Sequence, residues 1–270
     1  MANSNVVALR GYFNNETCMN NLRSMLGQKA QGFVTSVLSV VNNNTLLQKA
    51  SPQSVYSSAM VAASLDLPIN PNLGFAAIVP YGQVAQFQIM TRGLIQLAIR
   101  SGQYLRITNA VVHEGELVKY NPFTDDYEFD PTKRTSDKVI GYMAYFRMVD
   151  GYEKYFYMTE AEVLAHGKKY SKSFNSGPWK DNTEAMCLKT VMKLLLSKFG
   201  ILSIEMQRAI KYDQGIAKGD FTQMGSVEEI DNAEVEYVDN PEENNKPVEE
   251  SADNKKERMR KEKKEKPEMP

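Results

Sequence analysis

A chain of 270 residues, 42% of them hydrophobic, holds enough apolar side chain for one sizeable core and reads as a soluble body with an appendage. It has no run of ~18 apolar residues and no basic-then-apolar leader in MANSNVVALRGYF, and its two cysteines, Cys18 and Cys187, suit a reducing compartment; these features exclude a membrane span and a secreted disulfide framework and lead us to expect a cytoplasmic protein. The net charge of −1 hides a split between a basic body, residues 1–220 with 23 Lys and Arg against 18 Asp and Glu, and an acidic tail, residues 221–270 with 9 against 15; the basic body points modestly to a polyanionic partner.

Glu16 to about Lys49 is predicted helical, because Leu22, Met25, Leu26, Phe33, Val37, Val40 and Val41 recur at spacings of three and four. Pro52, in the first turn after Ser51, opens a second helix, PQSVYSSAMVAASLDL. The apolar runs FAAIV and VAQFQIM flank Pro80, Tyr81 and Gly82 and predict a hairpin. Thr91 is the expected N-cap of RGLIQLAIRSG, which closes at Gly102. Strands LRITNAVVHE, KVIGYMAYFRMVD and YEKYFYM follow, the last two joined through Asp150-Gly151; the stretch between the first two, with Pro122 and Pro131, is expected to be a polar loop. Thr159 with Glu162 makes a capping box for a helix to about Lys169, and Asp181 with Glu184 resembles another for a helix ending near Phe199. Ser203 begins a last helix, SIEMQRAIKYD, and beyond about Gly219 the acidic and then Lys/Arg/Glu-rich composition predicts disorder. The fold class is α+β: a small antiparallel hairpin sheet packed with helices over 51–219, an N-terminal helical region over 1–50 for contacts between copies, and a flexible charged tail over 220–270 for partner binding.

No G-x-x-x-x-G-K-[ST] loop is present to cradle nucleotide phosphates. Two histidines, His113 and His166, and two distant cysteines make no zinc constellation, and neither histidine has a nucleophile motif beside it. Asp125, Asp126, Glu128 and Asp130 are oxygen ligands suited to Mg²⁺, but in a Pro-bounded loop they need only face water. No catalytic residue, metal or cofactor is therefore expected.

Arg92, Gln96 and Arg100 recur at i, i+4 steps opposite Leu94, Leu97 and Ala98, a stripe that either tracks a phosphate backbone or is a solvated face. Residues 166–198 hold Lys168, Lys169, Lys172, Lys180, Lys189, Lys193 and Lys198 against Asp181 and Glu184, interleaved with Tyr170, Phe174 and Trp179. Cations that follow phosphates, with rings that stack on bases at ~1–3 kcal/mol per base, suit single-strand binding. Lys189 and Lys193 are expected on the solvent face of their helix with Thr190 and Ser197, while Trp179 reads equally as a stacking ring or a core anchor.

Two long blocks stand in order along the chain: DLPINPNLGFAAIVPYGQVAQFQIMTRGLIQLAIRSGQ, and NSGPWKDNTEAMCLKTVMKLLLSKFGILSIEMQRAI with its G-P-W, E-x-M-x-x-K-T and S-I-E-x-Q-R-A elements. Both resemble the RecT family of phage and prophage recombinases, over about Ser51 to Asp213. The chain departs from the family pattern at Asp66, where Gly is usual, at Leu188-Lys189, often two basic residues, and at Lys193-Leu194, where relatives carry paired arginines. The resemblance implies ATP-independent binding and annealing of single-stranded DNA in homologous recombination, through an annealed duplex intermediate. It also implies assembly into rings or helical filaments, and work beside a 5′→3′ exonuclease and a host single-strand DNA-binding protein. The groove expected from it comprises Lys189, Lys193, Arg92, Arg100, Gln96, Lys180, Lys198, Trp179, Lys172 and Tyr81, with Lys189 the lysine of the E-x-M-x-x-K-T block. A general single-strand chaperone that coats without pairing would share the same lysines and rings.

Overall fold

The computed structural model describes residues 4–121, 123–171, 173–213, 215–217, 221, 224 and 226–237. The N-terminal periodicity resolves into α1 (Ser4–Asn14), α2 (Glu16–Leu26) and α3 (Ala30–Asn42), the first of them starting before the predicted span. The break before α2 has a local cause, since the Asn15 side chain accepts the N–H groups of Thr17 and Cys18 as an N-cap. These helices bury Leu9, Phe13, Leu22 and Val37 against α4 (Pro52–Ser64), which starts at Pro52 as predicted. Every residue of α4 from Ser54 to Ala63 is buried, and its small side chains allow close approach from all sides. The Ser54 hydroxyl accepts the Ala85 N–H at 2.9 Å, so a helix residue does the work of a strand neighbour.

Ala85 belongs to the expected hairpin of β1 (Ala76–Tyr81) and β2 (Val84–Ile89), whose turn requires Gly82 at φ +61°. In α5 (Thr91–Arg100), Leu94, Leu97 and Ala98 are buried as the stripe predicts. Thr91 is not its cap: Met90 holds that position with extended backbone, and Thr91 is the first helical residue. Then come β3 (Tyr104–His113), β4 (Leu117–Asn121), β5 (Asp126–Phe129), β6 (Val139–Met148) and β7 (Glu153–Thr159). Strands β3, β6 and β7 form an antiparallel sheet in that order. The expected polar loop contains a hairpin instead, β4 pairing with β5, because Tyr120 stacks on Tyr127 at 4.7 Å and Tyr127 and Phe129 lie against Tyr155 and Tyr157 of β7. Three of its carboxylates are engaged within the chain: Asp125 pairs with Lys154, Asp126 with Lys119 at 2.6 Å, and Asp130 accepts from Thr132.

The capping box of Thr159 and Glu162 opens α6 (Glu160–Tyr170) as expected. The next box does not form: Asp181 ends the short α7 (Pro178–Asp181), and Asn182 precedes α8 (Thr183–Phe199). Ser203 caps α9 (Ile204–Tyr212). Order then continues past the expected boundary at 219, through β8 (Gly215–Ala217), α10 (Val227–Asn232) and β9 (Val235–Tyr237), with β8 and β9 paired. Phe221 and Ile230 are fully buried, Arg208 grips the Asp231 carboxylate from two nitrogens and donates to the Ser64 carbonyl, and the Tyr212 hydroxyl donates to the Ile230 carbonyl. The acidic composition masked these few anchors, and a single core cluster runs from Val6 to Ala233. The rest of the tail, residues 238–270, lies outside the described residues. Among the described residues no helix is long and apolar enough to cross a membrane.

Candidate nucleic-acid interface

Four hollows follow one another, each sharing lining residues with the next, a series termed the trench. The first, about 590 Å³, lies between α2–α3 and α5 and includes Lys29, Phe33, Asp66, Pro68, Gln96 and Arg100. Ser36 and Ile69 also line the second, about 560 Å³, whose walls are uncharged: Thr35, Ser39, Asn43, Asn44, Asn70 and Asn72 among them. Asn44 joins it to the third, about 540 Å³, where the β1–β2 hairpin with Tyr81 and Gln88 faces Ser171, Ser176, Pro178 and Trp179. Trp179, Ser171 and Met186 lead into a small fourth hollow of about 50 Å³, lined by His166, Tyr170, Lys189, Thr190 and Asp213.

At the first end the α5 stripe stands at the surface, partly engaged with backbone. Arg92 is exposed and donates to the Leu73 carbonyl at 3.2 Å. Arg100 donates to the carbonyls of Leu65 and Asp66 at 2.7 and 2.9 Å. Asp66 has φ +47°, the left-handed region that favours glycine, which accounts for the usual residue of the family pattern. Here its carboxylate holds Lys29 at 2.8 Å, with Arg100 at 3.8 Å.

At the other end the expected lysines part company. Lys180 and Lys198 are exposed, the latter with its ammonium 5.3 Å from the Phe156 ring centre. Lys172 lies outside the described residues. Lys189 corrects the expectation of a solvent-facing position: it is 4% exposed, and its Nζ lies 3.4 Å from Asp213 Oδ1. Lys193, one turn on and half-buried, donates to Asp213 Oδ2 at 2.6 Å. Asp213 also accepts the Ile89 N–H at 3.1 Å, so this carboxylate ties α8 to β2 from the end of α9. Burial pushes the Asp213 carboxyl up, but the two ammonium charges outweigh it and hold it below the usual carboxylate range.

Trp179 settles as an anchor that also borders the trench. It is 6% exposed, tilted on Phe174 at 5.2 Å, and packed so closely on α6 that a Cβ at Gly167 would come within 2.5 Å of its ring. His166, beside it, is held below the usual histidine range by burial first and then by the charges of Lys193, Lys198 and Lys169. The Cys187 thiol is pushed up to about 11, foremost by burial, and is no thiolate nucleophile at neutral pH.

The trench thus brings together Gln96, Arg100, Tyr81 and Trp179, with Arg92 and Lys180 beside its walls, and places Lys189 and Lys193 behind it around Asp213. Asp213 and the asparagines of the middle hollow were not singled out from sequence. The asparagines stand in N-N-N and N-P-N runs that read as turns; Asp213 lies 20 and 24 residues from its lysines and carries no local signal.

The RecT family model matches residues 31–236, a span that includes α10 and most of β9. Uncharacterized protein YqaK of Bacillus subtilis (strain 168) is 48% identical over 235 residues, 87% of this chain and 82% of that protein. Protein RecT of Escherichia coli (strain K12) is 29% identical over 177 residues, covering 62% of this chain and 65% of that protein. With two blocks in the right order, a family match over most of the chain and a near relative along nearly all of it, the chain belongs to the RecT family.

Proposed function

We propose that this chain seats single-stranded DNA along the trench and anneals complementary strands without ATP, as an oligomer acting in homologous recombination. The observation that carries the reading is the trench itself, uncharged and amide-rich in the middle, with Lys29 and Arg100 at one end, the exposed Lys180 beside Trp179 at the other, and Tyr81 and Trp179 on its border. Cations at the ends suit phosphates, and rings and amides between them suit bases without demanding one sequence. A strand held by its backbone leaves base edges available, and stacking at about 1.4 kcal/mol per step supplies the drive for pairing. The protein then has to align strands and screen their repulsion, so it needs no bond-breaking chemistry. A trench confined to one copy seats a short stretch of strand, so a long strand calls for many copies in series. Single strands would come from a 5′→3′ exonuclease and be handed over by a host single-strand DNA-binding protein.

Two complementary labelled oligonucleotides, mixed with the full chain in EDTA and without nucleotide, test this reading. Pairing is expected well above the spontaneous rate. A strict need for ATP or a divalent ion, or coating of the strands without pairing, would overturn it.

A further inference from the structure

The β4–β5 hairpin is unlike the rest of the surface. Residues 114–130 carry six carboxylates, Glu114, Glu116, Asp125, Asp126, Glu128 and Asp130, against Lys119 alone; five of them are engaged within the chain, by Ser136, the His113 N–H, Lys154, Lys119 and Thr132, and Glu128 stands exposed on β5. Its turn presents Phe123, which is 97% exposed, on an arm braced by the Tyr127 and Phe129 rings. A ring so fully exposed, on an arm packed this firmly, adds nothing to the stability of a single copy.

A complementary surface lies at the start of β3. Ile99, Leu105, Val149, Ile201 and Ile204 are each 47–66% exposed there. They are gathered by the Val149 N–H donating to the Gln103 carbonyl at 3.0 Å, by the Tyr104 hydroxyl donating to the Ile201 carbonyl at 3.0 Å, and by α5 packing on α9. Next along β3, Arg106 is exposed and stands directly opposite the exposed Arg147 in the β3–β6 register, while Glu153 of β7 stands opposite Arg147 on its other side, so the row of two arginines and one acid keeps a net positive charge. The acids at this margin are held locally: Asp150 accepts the Tyr152 N–H at 2.9 Å, Glu153 the Tyr145 hydroxyl at 2.7 Å, and Glu205 bonds to Ser203 and its own N–H at the head of α9. The outer edge of β3 also pairs with no strand among the described residues.

We infer that this patch receives the β4–β5 hairpin of a second copy, Phe123 seating among the aliphatic side chains and the exposed Glu128 carboxylate meeting Arg106 and Arg147. Charge complementarity selects the occupant: an acidic arm with one aromatic knob fits an aliphatic patch flanked by two arginines, and the chain carries both. Knob and patch are different surfaces, so each copy offers one of each and the contact serves a series of copies. The inference rests on the reading that copies work in series along a strand, and it adds the surface through which they meet.

The test uses the full chain, with self-association followed by light scattering after size separation, without DNA and with a single-stranded oligonucleotide. Phe123→Asp and Ile204→Asp change exposed side chains, so both variants should melt as the parent does. Each should weaken self-association by roughly thirtyfold or more, the loss expected of a central anchor. Mixed in equal amounts, the two variants should associate again, because one supplies an intact knob and the other an intact patch. The double variant Glu128→Lys, Arg147→Glu should recover part of what each single reversal loses. A parent chain that stays monomeric or stops at a dimer, variants that assemble like the parent, or a mixture that does not associate would each overturn the proposal. Failure of the annealing reading would instead appear as absent strand pairing by the parent chain, measured separately.

Discussion

Helices α5 and α8 carry basic stripes of the same period, yet α5 keeps Arg92 and Arg100 at the surface while α8 turns Lys189 inward. The difference lies in what each stripe meets. The α5 arginines meet backbone carbonyls at Leu73, Leu65 and Asp66, and the carboxylate near Arg100, that of Asp66 at 3.8 Å, is itself half exposed and shared with Lys29. The α8 lysines meet Asp213, a fully buried carboxylate delivered by a different helix. A basic residue at helical period thus stays at the surface or becomes a buried counter-ion according to an acid far along the chain.

The largest effect should come from that acid. Asp213→Ala leaves two lysines facing each other across a buried space and removes the acceptor of the Ile89 N–H. A loss of about 3–5 kcal/mol is expected, as for other broken buried pairs, or a fall of roughly 10 °C in Tm for a chain of this size. A melting temperature within a degree or two of the parent would erase the distinction between the two helices. Lys189→Ala should cost less, about 1–3 kcal/mol, because Lys193 still neutralises Asp213. Its deficit should appear in thermal melting before any DNA is added, and a double-mutant cycle with Asp213→Asn should show coupling between the two sites.

Lys180→Ala and Lys198→Ala should do the reverse. Both side chains are exposed, so stability should stay within about 0.5 kcal/mol of the parent. Single-strand affinity should fall alike for all sequences, and the slope of log affinity against log salt should shrink by roughly one for each phosphate that is no longer neutralised. A titration across salt concentrations checks this, and an unchanged slope would remove that lysine from the interface.

The smallest effect is a pH dependence. His166 is held below its ordinary range, so the unfolded chain takes up its proton first and stability falls as pH drops below about 6.5. His166→Gln should flatten that part of the melting profile. Phosphate near the exposed Lys198 would offset its charge and ease protonation of His166, so single-strand binding should tighten between pH 7.5 and 6. Asp213 acts in a lower window: its stabilisation is full above about pH 4 and is lost as pH falls through its depressed folded value.

Elements with local signals were legible in the sequence. Pro52 opening α4, Gly82 turning the β1–β2 hairpin, and Thr159 with Glu162 capping α6 each act within a few residues. Elements held by distant partners were not. The β4–β5 hairpin reads as a polar loop because its carboxylates alternate with rings that find their partners on β7. The segment from Phe221 to Tyr237 reads as acidic tail because Arg208, Tyr212 and Ser64, which anchor it or share its anchors, lie far upstream. The same rule sorts the basic helices: the surface stripe of Arg92, Gln96 and Arg100 follows from periodicity on one helix, whereas the burial of Lys189 depends on Asp213.

Trp179 offers the most direct measurement of the central claim, that single strands occupy the trench. It is the only tryptophan in the chain, and it lines the same hollow as Tyr81. Its emission can be followed as an oligonucleotide is added while the anisotropy of a label on the DNA reports binding. Emission should change saturably, on the same curve as the anisotropy, and Lys180→Ala should move both midpoints together. Binding that saturates by anisotropy while Trp179 emission stays constant would contradict the account.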